Sequence, residues 1–147
     1  CRRQKKDFPA ADAGFKKALQ ANLKSEERVF DVGDYAVRRN DAEMLLIVAT
    51  LGEKLGPADP RPKFYRAVAL VLKKRSGGDA ETLLREYLKQ APARSGYPRA
   101  TAVHYWLGQF FESQKNEAGA RAEYEAALKL DSKNKNAQEA LKRLKKG

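Results

Sequence analysis

The sequence predicts an all-α protein built from antiparallel helices, and three observations support this prediction. Apolar residues recur at three- and four-residue steps along almost the whole chain, which is the spacing of one helix face. Only six prolines and ten glycines occur in 147 residues, and they cluster between the periodic segments, where helices end. Alanine, leucine, lysine and glutamate, which favour helices, are common.

Three helices are predicted in the first part of the chain. Residues 9–23 place apolar side chains on one helix face. Ser25 is expected to cap the next helix, which runs to about Arg38 and has acidic residues in its first turn. Asp41 is expected to cap a third helix over residues 42–55. That helix is the most apolar of all, which predicts burial on several sides.

A Gly/Pro-rich segment at residues 56–62 is predicted to break the helical pattern. Further along, Asp79 is expected to cap a helix after a tight turn. The last helix carries apolar side chains on one side and lysines on the other. The helices predicted after the break span residues 63–75, 80–91, 100–114, 117–130 and about 135–145.

The formal net charge of +11 is concentrated at the two ends of the chain. Residues 1–6 carry four basic side chains and no acid, and residues 129–147 carry seven basic side chains and two acids. The body between them is nearly neutral, whereas a nucleic-acid-binding body would show a basic stripe along one face. Nucleic acid is therefore not expected as a partner. The longest apolar run, Met44 to Leu51, is too short to span a bilayer.

Cys1 is the only cysteine, so no disulfide can form within the chain. Its position at the start resembles that of the acylated cysteine of a mature bacterial lipoprotein. That resemblance implies a lipid anchor in the outer membrane, or in another envelope membrane, with the protein in the periplasm. Residues 1–8 would then form a basic tether beside the lipid headgroups. The alternative is a chain boundary that falls on a cysteine without any lipid.

Residues 101–134 form the clearest repeat in the chain. Two packed helices need small residues where they approach closely and large apolar residues in the gaps between them. Residues of these kinds occur at the expected positions: Leu107, Gly108, Phe111, Ala120, Tyr124 and Ala127. A weaker match at residues 61–94 puts Ala80 and Leu84 at the corresponding positions.

This pattern, with a period of about 34 residues, resembles the tetratricopeptide repeat family. The resemblance covers residues 61–134 and extends weakly to residues 9–60. It implies a repeat domain over residues 9–134, stacked as a short right-handed α-solenoid, and a basic capping helix over residues 135–147. Proteins of this family bind other proteins, and their repeats carry no catalytic machinery.

In that family the first helix of each repeat lines a concave groove that binds partner proteins. The resemblance implies groove contacts at six positions: Tyr65, Arg66, Lys73, Tyr105, Trp106 and Gln109. Tyrosine and tryptophan are enriched among the residues that dominate binding energy. The alternative for Tyr105 and Trp106 is that their rings pack the helix pair together.

The sequence predicts no catalytic, metal or cofactor site. His104 is the only histidine, so neither a catalytic triad nor a two-histidine metal site can be built. The turn from Ser76 to Asp79 contains two glycines but lacks the Lys-Ser/Thr of a phosphate-binding loop. We therefore expect no enzyme activity.

The leading hypothesis is a non-enzymatic scaffold or adaptor. It would be a membrane-anchored lipoprotein subunit of a bacterial cell-envelope complex and would bind other proteins of that complex. One alternative is a structural subunit that self-assembles through the ends of its helical stack. Another is a polyanion or nucleic-acid binder that uses the basic ends of the chain. Loss of binding in modest salt would favour this last alternative.

Overall fold

The computed structural model describes residues 26–74, 79–92 and 96–146. Within these ranges the chain is helical and contains no strand, as predicted. The helices are α1 (Glu26–Arg39), α2 (Ala42–Leu55), α3 (Arg61–Leu72), α4 (Asp79–Gln90), α5 (Ala100–Ser113), α6 (Glu117–Leu130) and α7 (Lys135–Lys146). Cys1, the tether over residues 1–8 and the helix predicted over residues 9–23 lie outside the described residues.

Local hydrogen bonds set where the helices begin. The Oδ1 atom of Asp41 accepts a hydrogen bond from the backbone N–H of Met44 at 3.1 Å, which confirms the predicted cap of α2. Asn116 caps α6 in the same way, with its Oδ1 atom 3.0 Å from the backbone nitrogen of Gly119. Each cap satisfies a donor that the first helical turn leaves unpaired.

α3 begins and ends earlier than the predicted range of 63–75. Pro62 lies in its first turn, where the missing N–H removes no helical hydrogen bond. The prolines that were expected only to break the pattern therefore also start the helix. At the other end, Lys74 has a φ of 55°, a left-handed conformation that stops it.

Consecutive helices pack against one another as a helical repeat stack, in the pairs α1–α2, α3–α4 and α5–α6. The first helices of these pairs also contact each other, because α1 meets α3 and α3 meets α5. α7 packs on α6 and closes that end of the stack with Ala140 and Leu144. We call the side formed by α1, α3 and α5 the first-helix face.

Glycines allow close approaches between paired helices. A Cβ atom at Gly108 of α5 would lie 2.7 Å from Cδ1 of the Tyr124 ring on α6. A Cβ atom at Gly52 of α2 would lie 2.7 Å from Cε1 of Phe30 on α1. The close neighbour of Gly108 on α6 is thus Tyr124. Among the predicted packing residues, Phe111 is half-buried. The others are buried: Leu107, Gly108, Ala120, Tyr124, Ala127, Ala80 and Leu84.

Arg61 is a buried cation that fixes the start of α3. Its guanidinium carbon lies 4.2 Å from the ring centroids of both Phe30 and Tyr97. Its Nη2 atom donates to Asp59 Oδ2 at 2.6 Å, and its Nη1 atom donates to the carbonyl oxygen of Gly96 at 3.2 Å. One side chain therefore joins α1, the segment before α3 and the loop before α5.

Candidate functional site

Two open cavities lie along the first-helix face, and Trp106 lines both of them. The larger one, of about 740 Å³, is bordered by the end of α1, the start of α5 and the α6–α7 turn. We call it the α1–α5 cavity. The smaller one, of about 290 Å³, lies between α3, α5 and α7. These cavities are the part of the described chain that best matches the predicted groove.

Polar side chains from three separate segments line the α1–α5 cavity. The end of α1 provides the guanidinium of Arg38 and the amide of Asn40, and the start of α5 provides the guanidinium of Arg99 and the phenol of Tyr105. The α6–α7 turn provides the amides of Asn134 and Asn136 and the carboxylate of Asp131. Such a lining can donate many hydrogen bonds to one ligand.

Tyr105 is the aromatic residue that the α1–α5 cavity exposes most. Its ring is half-buried, with its centroid 5.4 Å from that of Trp106 and 5.9 Å from that of Tyr124. Burial raises the pKa of the Tyr105 hydroxyl, which therefore stays protonated at neutral pH. Trp106 is only 7% exposed and belongs mainly to the core. Packing thus holds both rings in place, and Tyr105 also offers surface to a ligand.

Gln109 lines the smaller cavity, and its side chain also takes part in a hydrogen-bond network. Its Nε2 atom donates to the hydroxyl of Tyr124 at 2.8 Å, and that hydroxyl donates to Glu112. Arg143 of α7 donates to the same carboxylate at 2.6 Å. Burial alone would lower the pKa of Arg143, but the charge of Glu112 raises it above the usual value. This network fastens α7 to α5 and α6, so Gln109 has a structural role.

Tyr65 does not line the groove, and its predicted contact with a partner was wrong. The side chain is fully buried, and its hydroxyl donates to Asp34 Oδ1 at 2.7 Å. The physical reason is the central place of α3, which contacts α1, α2, α4 and α5. A position that would be open on a helix with fewer neighbours is enclosed here.

Arg66 and Lys73 do not line either cavity. Arg66 Nη2 lies 2.9 Å from Glu53 Oε1, and Lys73 Nζ lies 2.6 Å from Glu43 Oε1. Both carboxylates belong to α2, so these two cations face the preceding pair of helices. The residues of α3 and its end that border the smaller cavity are instead Val71, Leu72 and Lys74.

The arginines and asparagines of the α1–α5 cavity were not predicted from the sequence. The repeat pattern assigns binding to the exposed faces of first helices, whereas Asn40, Arg99 and Asn134 lie in turns or just before a helix. Which turns meet in space depends on how successive helix pairs are rotated, and no local sequence signal encodes that rotation.

The described residues contain no group of three or more His, Cys, Asp or Glu residues able to hold a metal ion. Nδ1 of His104 lies 2.8 Å from Glu123 Oε1, and the same carboxylate lies 3.4 Å from Arg85. His104 therefore helps to join α4, α5 and α6. None of the helices described here combines the length and the apolar character needed to cross a membrane.

No family model, curated protein or solved structure matches the chain. The likeness to tetratricopeptide repeats therefore depends on the residues and stacking described above, and membership of that family stays a prediction.

Proposed function

We propose that this chain is a non-enzymatic scaffold that binds another protein at its first-helix face. The observation that supports the proposal is the α1–α5 cavity with Tyr105 at its wall. Tyr105 is held by ring contacts to Trp106 and Tyr124, so binding would cost it little conformational entropy.

The chemistry of the lining also favours binding over catalysis. Guanidinium, amide and phenol groups donate hydrogen bonds, and three separate chain segments hold them in place. The lining has no histidine or cysteine to pair with a nucleophile. Such a surface recognises a ligand without transforming it.

As part of the same proposal, the chain is a lipoprotein subunit of a bacterial cell-envelope complex, held at the periplasmic side of the membrane by an acylated Cys1. What supports this is the single cysteine followed closely by four basic side chains, which would meet anionic headgroups. Two acyl chains or more would give stable anchoring.

Cys1→Ser is expected to move the protein from the membrane fraction to the soluble fraction, because the acyl chains could no longer be attached. Fractionation of native cells measures the shift, and intact-mass analysis of membrane-isolated protein should show the added acyl mass. A free thiol at Cys1 in that material would refute the anchor while leaving the binding proposal untouched.

Tyr105→Ala is expected to reduce partner capture by roughly tenfold, because it removes the exposed aromatic surface of the cavity. Crosslinking pull-down from native envelope, quantified for each captured protein, measures the loss. Tyr35→Ala is the matched control. Tyr35 is 40% exposed on α1 and lines neither cavity, so its loss should leave capture unchanged.

A second variant separates lost binding from lost folding, since Tyr105 also contacts the core. Ala102→Trp adds bulk to the α1–α5 cavity without removing a core side chain, and it should block capture as well. Ala122→Trp places the same ring on an exposed position of α6 and should not block capture. Full capture by both Tyr105→Ala and Ala102→Trp would show that the partner binds elsewhere.

A further inference from the structure

Two arginines of the α1–α5 cavity, Arg38 and Arg99, form no salt bridge within 4 Å among the described residues. The charge of Arg38 does act on Asp34, where it opposes the rise in the carboxyl pKa that burial causes. Arg38 lies in the last turn of α1, and Arg99 immediately precedes α5. Both are exposed, and both line the cavity. Several other cations of the stack are paired with carboxylates, as in the pairs of Arg66, Lys73 and Arg143 described above. This cavity therefore keeps positive charge available to a ligand.

The starts of two helices add to the positive potential of the cavity. α5 begins at its wall without a side-chain cap and without an acidic residue in its first turn. α7 begins after Asn134 and likewise has no acid in its first turn. Helix starts carry partial positive charge and favour anionic groups. Among the described residues that line the cavity, Asp131 is the only acid, and its Oδ1 atom accepts a hydrogen bond from the N–H of Lys133 at 3.2 Å.

We infer that the α1–α5 cavity binds an acidic segment of the partner protein. In this arrangement one carboxylate of the segment meets Arg38, a second meets Arg99, and an intervening side chain packs on Tyr105. The amides of Asn40 and Asn136 supply further hydrogen-bond donors to the segment backbone. The inference rests on the proposed function and names the chemistry of the partner.

Charge argues against a second copy of this chain as the occupant. The formal net charge of +11, most of which lies at the two ends of the chain, makes two copies repel each other. The same net charge would attract an acidic partner at long range, and the cavity would then supply the specific contacts. An acidic protein segment is therefore the occupant that complements both the whole chain and this site.

The test uses the full chain and a fluorescein-labelled peptide of ten residues that alternates glutamate with tyrosine. Fluorescence anisotropy at about 0.15 M salt measures its affinity, where unspecific attraction between exposed charges is largely screened. Arg38→Gln combined with Arg99→Gln should weaken binding about tenfold or more, because two charge-assisted contacts are lost. A peptide with glutamine in place of glutamate should bind poorly to every variant.

The matched control is Arg28→Gln combined with Arg121→Gln. Both arginines are exposed and lie outside this cavity, and the pair changes the net charge by the same amount. Binding should change by less than about twofold in this control, given screening at this salt concentration. Equal weakening by the two double variants would show that only the overall charge attracts the peptide, and it would overturn the inference.

Asp131→Asn provides a test by gain of affinity. It removes the one acid of the lining while keeping an oxygen that can accept the hydrogen bond from Lys133. The acidic peptide should therefore bind about two- to fivefold more tightly, whereas Asp79→Asn, at an exposed position on α4, should have no such effect. No binding of the acidic peptide to the unmodified chain, or no gain with Asp131→Asn, would contradict the inference.

Failure of this inference can be told apart from failure of the proposed function. If Tyr105→Ala abolishes partner capture while the Arg38/Arg99 variant retains it, the cavity binds a partner that is not acidic. Vesicles containing about one-third phosphatidylserine test a membrane surface as the other anionic occupant. Vesicle binding that depends on Arg38 and Arg99, without peptide binding that depends on them, would also overturn the inference.

Discussion

Replacing Arg61 with methionine is expected to lower the free energy of unfolding by about 3–5 kcal/mol, the usual cost of removing one partner of a buried ion pair. The carboxylate of Asp59, only 8% exposed, would lose the cation that lies 2.6 Å away. The carbonyl of Gly96 would lose a donor, and the rings of Phe30 and Tyr97 would lose the guanidinium between them. Domains of this size are stabilised by about 5–15 kcal/mol in total, so this loss would be a large fraction of the free energy of unfolding.

Urea unfolding followed by helical circular dichroism measures this effect. Arg66→Met is the control, because Arg66 forms an ion pair at 2.9 Å on α3 but is partly exposed, as is its partner Glu53. Exposed pairs contribute about 0–1 kcal/mol, so this variant should stay close to the unmodified chain. Adding Asp59→Asn to Arg61→Met should recover part of the loss, since the charge of the buried carboxylate is gone. Equal effects of Arg61→Met and Arg66→Met would contradict the assigned role of Arg61.

Replacing Gly108 with leucine is expected to destabilise the chain by about 1–3 kcal/mol through overpacking. The first atom of the new side chain would already lie within 2.7 Å of the Tyr124 ring. That ring cannot easily move aside, because it is fully buried and its hydroxyl is bonded to Gln109 and Glu112. The higher helix propensity of leucine would offset less than about 1 kcal/mol of the loss.

Ala122→Leu is the control for this variant, since Ala122 is exposed on α6 and the same side chain there meets solvent. Thermal unfolding should show a clear drop in Tm for Gly108→Leu and almost none for the control. Unchanged stability of Gly108→Leu would mean that α5 and α6 do not approach as closely as a repeat pair requires.

Most helix boundaries could be predicted because they depend on local chemistry. Asp41 was expected to cap α2 and does so by accepting a hydrogen bond from Met44, only three residues further along the chain. The prolines around α3 were harder, because proline both breaks a helix and fits its first turn. Nothing in the local sequence predicted the structural role of Arg61. Its importance comes from Phe30 and from the loop at Gly96 and Tyr97, which are distant in sequence.

Only some residues of the candidate site could be predicted from the sequence, and there is a physical reason why the others could not. Tyr105 and Trp106, which were predicted to contact a partner, line the cavity because α5 has one side open to it. Tyr65 occupies the equivalent place on α3, but that helix is enclosed by four others. Arg38 and Arg99 reach the cavity from helix ends, and only the packing of successive pairs brings those ends together.

Site-specific photo-crosslinking tests the central claim that a protein partner binds at the first-helix face. Benzoylphenylalanine would be placed singly at Tyr105 and Ser113, which line the cavities, and at Ala122 and Arg85, which are exposed on the second helices α6 and α4. We predict that Tyr105 and Ser113 crosslink to one common partner and that Ala122 and Arg85 do not. Crosslinks that form only from Ala122 or Arg85 would contradict the claim and place the interface on the opposite side of the stack.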